Sequence, residues 1–155
     1  MNGPGPVGDS SDTMHLTRPL LLSNQFPEIR RGHLITLQMN LGYLCNMSCS
    51  HCHVDAGPRR REIMNLKTIN QCMDFVVENG IGTVDLTGGA PEMNPHFRHL
   101  VHRLRGNDVH VIDRCNLTIL EQEGYLDIAE FMARQGVEIT ASLPCYLEDN
   151  VDRQR

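Results

Sequence analysis

The chain has 155 residues, of which 40% are hydrophobic and 21% charged, which supplies the core of one domain and is too little charge for a disordered chain. A formal net charge of -5, with no Trp, three Tyr and four Phe, argues against a nucleic-acid partner held by phosphate contacts or base stacking. The sequence shows no apolar run near the roughly 20 residues of a membrane-spanning helix and no signal-peptide pattern. We therefore expect a cytoplasmic protein without membrane contact.

The N-terminal segment, residues 1–30, opens with a stretch rich in Gly, Pro, Ser and Asp. Such a stretch buries too little apolar surface to offset the entropy of ordering it. We predict a flexible tail over residues 1–30 and a folded core over 31–155.

The core begins with residues 34–41, whose alternation of apolar and polar side chains predicts a strand. A cysteine-containing loop follows, and Asn65 is then the predicted N-cap of an amphipathic helix that ends at Gly80. Residues 83–87 form a second predicted strand, closed by the glycine-rich turn 88–92.

The second half continues the alternation of helix and strand. Its predicted elements are a helix capped by Asn94 and ending at Gly106, a strand over 109–113, a helical region over 118–135 interrupted near Gly124, and a strand over 137–141. Regular alternation of this kind predicts right-handed βαβ units, a parallel sheet and an α/β fold.

Three of the four predicted strands carry polar residues on one common face. These residues are Thr36, Gln38 and Asn40, then Thr83, Asp85 and Thr87, and finally Glu138, Thr140 and Ser142. Parallel strands covered on both faces are usually hydrophobic throughout. We favour a curved sheet whose polar face lines a ligand cavity, with a merely solvated face as the alternative.

The loop after the first strand holds Cys45, Cys49 and Cys52 within eight residues. Thiolate ligands select zinc or an iron–sulfur cluster. Structural zinc needs four protein ligands, and His51 or His53 is available as the fourth. Three thiolates without a second cysteine pair suit a [4Fe-4S] cluster whose fourth iron stays open to bind a small molecule.

With this spacing directly after a strand, the sequence resembles the radical SAM superfamily. The resemblance implies a partial (β/α)6 barrel in which the three cysteines hold [4Fe-4S] and the open iron binds S-adenosylmethionine (SAM). The turn 88–92 resembles the superfamily's Gly-Gly-Glu region, which implies SAM contacts from the backbone of Thr87, Gly88 and Gly89. His51 departs from the pattern, because the superfamily often has an aromatic residue there.

Polar residues at the ends of later strands are further candidates for SAM binding. Arg114 and Asn116 follow the third predicted strand and Ser142 ends the fourth, so each is a candidate ligand for the carboxylate or ribose. No residue is assigned a catalytic role.

A narrower resemblance is to the arsenosugar-biosynthesis radical SAM proteins, also described as radical SAM/Cys-rich proteins. The segments that carry it are 45–58, 86–92, 114–118 and 142–146. It implies reductive cleavage of SAM to a 5′-deoxyadenosyl radical, adenosylation of a methylated trivalent arsenical, and a reductant such as flavodoxin or ferredoxin. Those proteins continue through further strands into a Cys-rich domain, so we expect a barrel truncated after about four strands.

Trivalent arsenic is thiophilic, which makes Cys145 a candidate substrate thiol, with a buried structural cysteine as the alternative. Two other functions remain open for the whole chain. One is a non-catalytic metal-binding module that holds zinc or an inert iron–sulfur cluster, and the other is an inactive truncated paralogue.

Overall fold

The computed structural model describes residues 29–143 together with positions 19 and 27. The chain divides into two units, Met1–His33 and Leu34–Arg155, and every element below lies in the second. Most of the predicted tail, and Cys145, lie outside the described residues.

Strands and helices alternate along the described chain. In order they are β1 (Thr36–Asn40), α1 (Leu66–Glu78), β2 (Thr83–Thr87), a 3-10 helix (Pro91–Met93), α2 (Phe97–Arg105), β3 (His110–Asp113), a second 3-10 helix (Thr118–Glu121), α3 (Ile128–Gln135) and β4 (Glu138–Ile139). Within the described range, no helix combines the length and the apolarity needed to cross a lipid bilayer.

The four strands form one parallel sheet in the order β1-β2-β3-β4, which confirms the predicted α/β fold. The register places Gln38 beside Asp85, Asp85 beside Ile112, and Ile112 beside Glu138. Because all strands run the same way, their carboxyl ends meet at one edge of the sheet. The loops that follow β1, β2, β3 and β4 therefore gather at that edge.

The core lies between the sheet and the helices. Its fully or almost fully buried side chains include Met39, Val84, Leu86 and Val111 from the sheet and Ile69, Met73, Val76, Leu100, Leu104 and Met132 from the helices. Burying each such side chain stabilises the fold by roughly 1.5–3 kcal/mol. The apolar periodicity of the sequence thus indicates the face that each element buries.

Asn65 caps α1 as predicted, because its Oδ1 accepts the Thr68 N–H at 2.9 Å. The N-cap of α2 is His96, two residues later than the predicted Asn94, because the helix begins only at Phe97. Asn94 still contacts the start of the helix, since its Oδ1 accepts the His96 N–H at 2.9 Å. Its Nδ2 also donates to the carbonyls of Leu41 at 3.0 Å and Met64 at 2.9 Å. Both carbonyls belong to segments distant in sequence, so the same side chain also joins loops.

β4 is shorter than the predicted strand over 137–141, but its hydrogen bonding continues into the following residues. Thr140 N–H donates to Asp113 O at 2.9 Å, and Ser142 N–H donates to Cys115 O at 2.8 Å. The chain after β4 therefore stays in register with the chain after β3, which brings Ser142 to the carboxyl edge of the sheet.

Candidate cofactor site

The three clustered cysteines lie on the loop that leaves the carboxyl end of β1. Isolated bridges pair this loop with the chain that returns to α1: Gly42 pairs with Ile63 and Leu44 with Gly57. The Cys45 N–H also donates to Gly57 O at 3.3 Å. These backbone contacts hold the loop at the carboxyl edge of the sheet.

N–H groups donate to the sulfur atoms of Cys45 and Cys52. Cys45 Sγ accepts hydrogen bonds from Met47 N–H at 3.4 Å and from Asn116 Nδ2 at 3.5 Å, and Cys52 Sγ accepts from Ala56 N–H at 3.3 Å. Such donors stabilise thiolate ligands and influence the potentials of iron–sulfur clusters. The surroundings of the loop therefore suit metal-bound sulfur.

Cys45 is buried, with 6% of its surface exposed, whereas Cys49 and Cys52 are half-buried. Burial raises the pKa of the Cys45 thiol, and the two neighbouring thiols raise it further against the opposing hydrogen bonds. Metal ions bind the deprotonated form of cysteine, so a positively charged metal centre bound to this loop would favour the thiolate against the effect of burial.

The loop after β2 approaches the cysteine loop too closely for side chains. Gly89 N–H donates to Gly42 O and Ala90 N–H to Leu44 O, both at 2.9 Å. A Cβ atom on Gly89 would lie 2.3 Å from Leu44 O, and one on Gly88 would lie 2.5 Å from Gly42 O. The glycine pair is thus required for two loops to meet beside the thiols.

Arg114 follows β3 and is oriented by Asp85 of β2. Its Nε donates to Asp85 Oδ1 at 2.8 Å and its Nη2 to Oδ2 at 2.7 Å, and Gln38 Nε2 also donates to Oδ2, at 3.1 Å. These hydrogen bonds, chiefly those from Arg114, lower the pKa of the Asp85 carboxyl. In the described chain Nη1 makes no hydrogen bond, which leaves it available to an acidic ligand.

Asn116 connects the loop after β3 to the cysteine loop. Its Nδ2 donates to Asn46 Oδ1 at 2.9 Å, and Asn46 Nδ2 donates to Thr118 Oγ1 at 2.8 Å. Together with its contact to the Cys45 sulfur, this network makes Asn116 a neighbour of the proposed metal ligands as well as a residue of the cavity wall.

A cavity of about 350 Å³ opens where these loops meet. Its wall contains all three cysteines, His51 and His53, and all six residues that the sequence predicted to bind the cofactor: Thr87, Gly88, Gly89, Arg114, Asn116 and Ser142. Small-molecule sites commonly begin at about this volume. The structure brings the predicted residues together, and their contacts with a ligand stay a prediction.

A second polar cluster, which sequence reasoning missed, is buried behind this edge of the sheet. Ligand atoms of Glu92, Asp113 and Cys115 all lie within 4.8 Å of one another, and all three residues are buried. Within the described chain, none of the four carboxylate oxygens receives a hydrogen bond from an N–H or O–H donor. A hydrogen bond between the two carboxyl groups forms only when one of them holds a proton.

Burial raises the pKa of Asp113 to about 9, with the charge of Glu92 as the second cause. Burial likewise raises the pKa of the Cys115 thiol. Without a bound cation, Asp113 of the folded chain therefore stays protonated at neutral pH. An aspartate of the unfolded chain, with a pKa of about 3.9, has lost its proton at that pH.

This difference in the pKa of Asp113 between the folded and unfolded chain predicts that the free energy of unfolding depends on pH. Asp113→Asn should weaken that dependence. Because the folded state binds the extra proton between the two pKa values, the stabilisation from this group is present in acid and is lost as pH rises toward 9, by up to about 1.4 kcal/mol per pH unit. Urea denaturation from pH 6 to 8.5 in the presence of EDTA measures this slope. We expect a shallower slope for Asp113→Asn, and an unchanged slope for Asp74→Asn on the exposed surface of α1. Equal slopes for wild type and Asp113→Asn would contradict the prediction.

One signal in the sequence pointed to this cluster. In residues 109–113 the alternation places Asp113 on the same face as Val109 and Val111, which is the buried face of the strand. Nothing local linked that aspartate to Glu92, which lies in the 3-10 helix after β2. The parallel register of the sheet brings the two loops together.

Comparison with known proteins identifies a family whose model matches this chain. The Radical SAM superfamily model matches residues 39–151 of the chain. The chain is 23% identical over 101 residues to the antilisterial bacteriocin subtilosin biosynthesis protein AlbA of Bacillus subtilis, across 65% of this chain and 21% of that protein. It is 28% identical over 69 residues to the probable GTP 3',8-cyclase of Sulfurisphaera tokodaii, across 44% of this chain and 22% of that protein.

A third relative, the GTP 3',8-cyclase of Vibrio vulnificus, is 24% identical over 85 residues, across 52% of this chain and 25% of that protein. The chain thus spans about a fifth to a quarter of the length of these curated relatives. The family match includes all three clustered cysteines, and the open parallel sheet is consistent with part of a radical SAM barrel. Because that match covers most of the sequence, this chain belongs to the radical SAM superfamily.

Proposed function

We propose that this chain binds a [4Fe-4S] cluster through Cys45, Cys49 and Cys52 and uses it to cleave SAM reductively. The observation that carries the proposal is the cavity in which the three thiols face the glycine loop after β2 and the polar residues after β3 and β4. The donor set supports the same cofactor, since three thiolates with N–H donors around them suit a cluster with one open iron.

A [4Fe-4S] cluster held by Cys45, Cys49 and Cys52 would pass on the one electron, received from an external reductant, that is needed to cleave SAM to methionine and a 5′-deoxyadenosyl radical. The residues of the chain position the reactants and exclude water. Gly88 and Gly89 let the loop after β2 lie directly against the cysteine loop, because a Cβ atom at either position would collide with that loop. Backbone groups of the loop after β2 would then contact the methionyl part of SAM beside the cluster. Arg114 offers its Nη1 donors to the SAM carboxylate while Asp85 holds the guanidinium in place.

This role for Arg114 predicts that Arg114→Gln weakens SAM binding roughly ten- to hundredfold, because a hydrogen bond to a charged group contributes roughly 1.5–3 kcal/mol. Equilibrium dialysis of radiolabelled SAM against anaerobically reconstituted protein measures the change. Arg103→Gln is the matched control, because Arg103 also pairs with an aspartate, Asp74, but does not line the cavity. Equal affinities for the two variants would remove Arg114 from the proposed site.

The test of the function is anaerobic reconstitution of the full chain. We expect about four iron and four sulfide per chain, a reduced electron paramagnetic resonance spectrum that changes on adding SAM, and release of 5′-deoxyadenosine with dithionite in place of flavodoxin or ferredoxin. Stoichiometric zinc without visible absorption would instead support the metal-binding module. A cluster whose spectrum ignores SAM would support an inert iron–sulfur protein or an inactive paralogue.

For the substrate, we propose a methylated trivalent arsenical that receives the adenosyl group. The support is the resemblance of residues 45–58, 86–92, 114–118 and 142–146 to the arsenosugar-biosynthesis radical SAM proteins. Liquid chromatography with arsenic detection distinguishes the outcomes. A product that contains both arsenic and adenosine supports the proposal, whereas 5′-deoxyadenosine alone keeps the radical SAM activity and removes the arsenical.

Cys145 is the proposed arsenic-binding thiol, and it follows Ser142 closely in sequence. We expect Cys145→Ser to weaken binding of trivalent arsenic while the visible absorption of the cluster stays intact. Cys72→Ser is the control, since Cys72 lies on α1 and packs against the core. Unchanged arsenic binding in Cys145→Ser would exclude this role.

A further inference from the structure

The buried cluster of Glu92, Asp113 and Cys115 is separate from the cysteine loop. None of its three residues lines the cavity that contains Cys45, Cys49 and Cys52. Glu92 is 4% exposed and Asp113 is 0% exposed, so water does not solvate their carboxyl groups. In the described part of the chain, no Arg, Lys or His forms an ion pair with either of them.

Two buried carboxyl groups without donors are costly to a fold, since each unsatisfied polar group costs about 1–3 kcal/mol and more when charged. One shared proton can join the two carboxyl groups, and the protonated Cys115 thiol can donate to Glu92, but no positive charge then offsets a carboxylate in this buried cluster. A divalent cation would contact both carboxylates and the thiolate together and would offset their charge. The convergence of all three ligand atoms on one small volume is the arrangement that a cation requires.

The chemistry of the donors selects the class of cation. Two carboxylate oxygens with one thiolate sulfur suit zinc and exclude calcium and magnesium, which prefer oxygen ligands alone. In a tetrahedral zinc site with bonds of about 2.0–2.3 Å, neighbouring ligand atoms lie roughly 3.3–3.8 Å apart. Ligand atoms within 4.8 Å of one another reach that spacing by small side-chain rotations.

The surroundings of Cys115 match those of a metal-bound sulfur. Its Sγ accepts the Leu117 N–H at 3.3 Å, and Leu117 adopts φ 62°, a left-handed conformation that a leucine rarely takes. The N–H donor to sulfur repeats the pattern around Cys45 and Cys52.

We propose that Glu92, Asp113 and Cys115 form a second metal site, which binds one zinc-type divalent cation behind the carboxyl edge of the sheet and fixes the loops after β2 and β3. The three side chains supply three of the four ligands of a tetrahedral zinc ion, and a water molecule would supply the fourth. These are the loops that carry Gly88, Gly89, Arg114 and Asn116. The site acts by positioning those loops and takes no part in the transfer of electrons.

The test uses the full, anaerobically reconstituted chain, incubated with zinc sulfate and then passed through a weak chelating resin. We expect about one zinc per chain, with the iron content unchanged. Zinc X-ray absorption should show one sulfur at about 2.3 Å and oxygen or nitrogen ligands at about 2.0–2.2 Å. Retention of no zinc would overturn the proposal and leave a proton-sharing carboxyl pair. Zinc with three sulfur ligands would place the metal on the cysteine loop and overturn the proposal as well.

Variants separate this site from the cysteine loop. We expect Cys115→Ser to remove the single sulfur ligand and to weaken zinc binding at least tenfold, and Asp113→Asn to weaken it similarly. Cys72→Ser should leave the zinc spectrum unchanged. Zinc affinity should also rise with pH, because binding displaces protons from the ligands. Unchanged zinc spectra in both Cys115→Ser and Asp113→Asn would exclude the assignment.

Failure of this inference and failure of the proposed function give different results. Iron and sulfide report the cysteine loop, and the number of sulfur ligands around zinc reports the second site. A chain without iron that holds zinc with one sulfur ligand would refute only the proposed function. A chain with a complete, SAM-responsive cluster and no zinc would refute only the second metal site.

Discussion

Replacing Cys45, Cys49 or Cys52 with alanine is expected to reduce iron from about four per chain to near zero and to abolish release of 5′-deoxyadenosine. In the proposed cluster each thiolate would hold one iron, and a cubane that loses a protein ligand would expose that iron to solvent and thiol exchange. The other described cysteines, Cys72 and Cys115, do not line this cavity, so we expect neither to replace a missing ligand. Iron analysis and visible absorption after anaerobic reconstitution measure the result.

The control for these variants is Cys72→Ser, which also removes a thiol from the described chain but leaves the loop intact. It should retain the iron, the absorption and the response to SAM. Full iron content in any one of the three loop variants would show that the corresponding sulfur is not a ligand. Circular dichroism of each metal-free variant distinguishes loss of a ligand from loss of the fold.

Gly89→Ala is expected to produce the second large effect, destabilising the chain by about 3 kcal/mol and preventing cluster assembly. The added Cβ atom would lie 2.3 Å from Leu44 O, 2.8 Å from the Leu44 carbonyl carbon and 3.0 Å from Cys45 Cβ. Two of these neighbours are backbone atoms, which cannot rotate away. The contact is relieved only if the loop after β2 separates from the cysteine loop, which moves the proposed ligand Cys45.

Gly82→Ala is the matched control, because a Cβ atom there meets nothing within 4 Å and the residue is exposed before β2. We expect its free energy of unfolding to stay within about 0.5 kcal/mol of wild type and its iron content to be unchanged. Urea denaturation and iron analysis of both variants give the comparison. If Gly89→Ala assembled a full cluster at wild-type stability, the close approach of the two loops would not be needed for the site.

Local patterns in the sequence determined the elements and the metal-ligand candidates. The alternation in residues 34–41 predicted β1, and Asn65 marked the start of α1, because a strand period and an N-cap each depend on neighbouring residues. Likewise, the spacing of the three cysteines depends on one short loop. Of the polar strand residues that predicted a ligand cavity, Thr87 and Ser142 line the cavity at the carboxyl edge, whereas Thr36, Gln38 and Asn40 of β1 are exposed, as in the alternative of a solvated face.

Contacts between distant segments were decided only by the tertiary structure. Asn94 looked like a helix cap, yet it hydrogen-bonds to carbonyls that come 53 and 30 residues earlier in the chain. The pairing of Arg114 with Asp85 and the cluster of Glu92, Asp113 and Cys115 join residues of different βα units. Strand register determines which loops meet. Because the register arises from the packing of the whole sheet against its helices, no short sequence pattern predicts it.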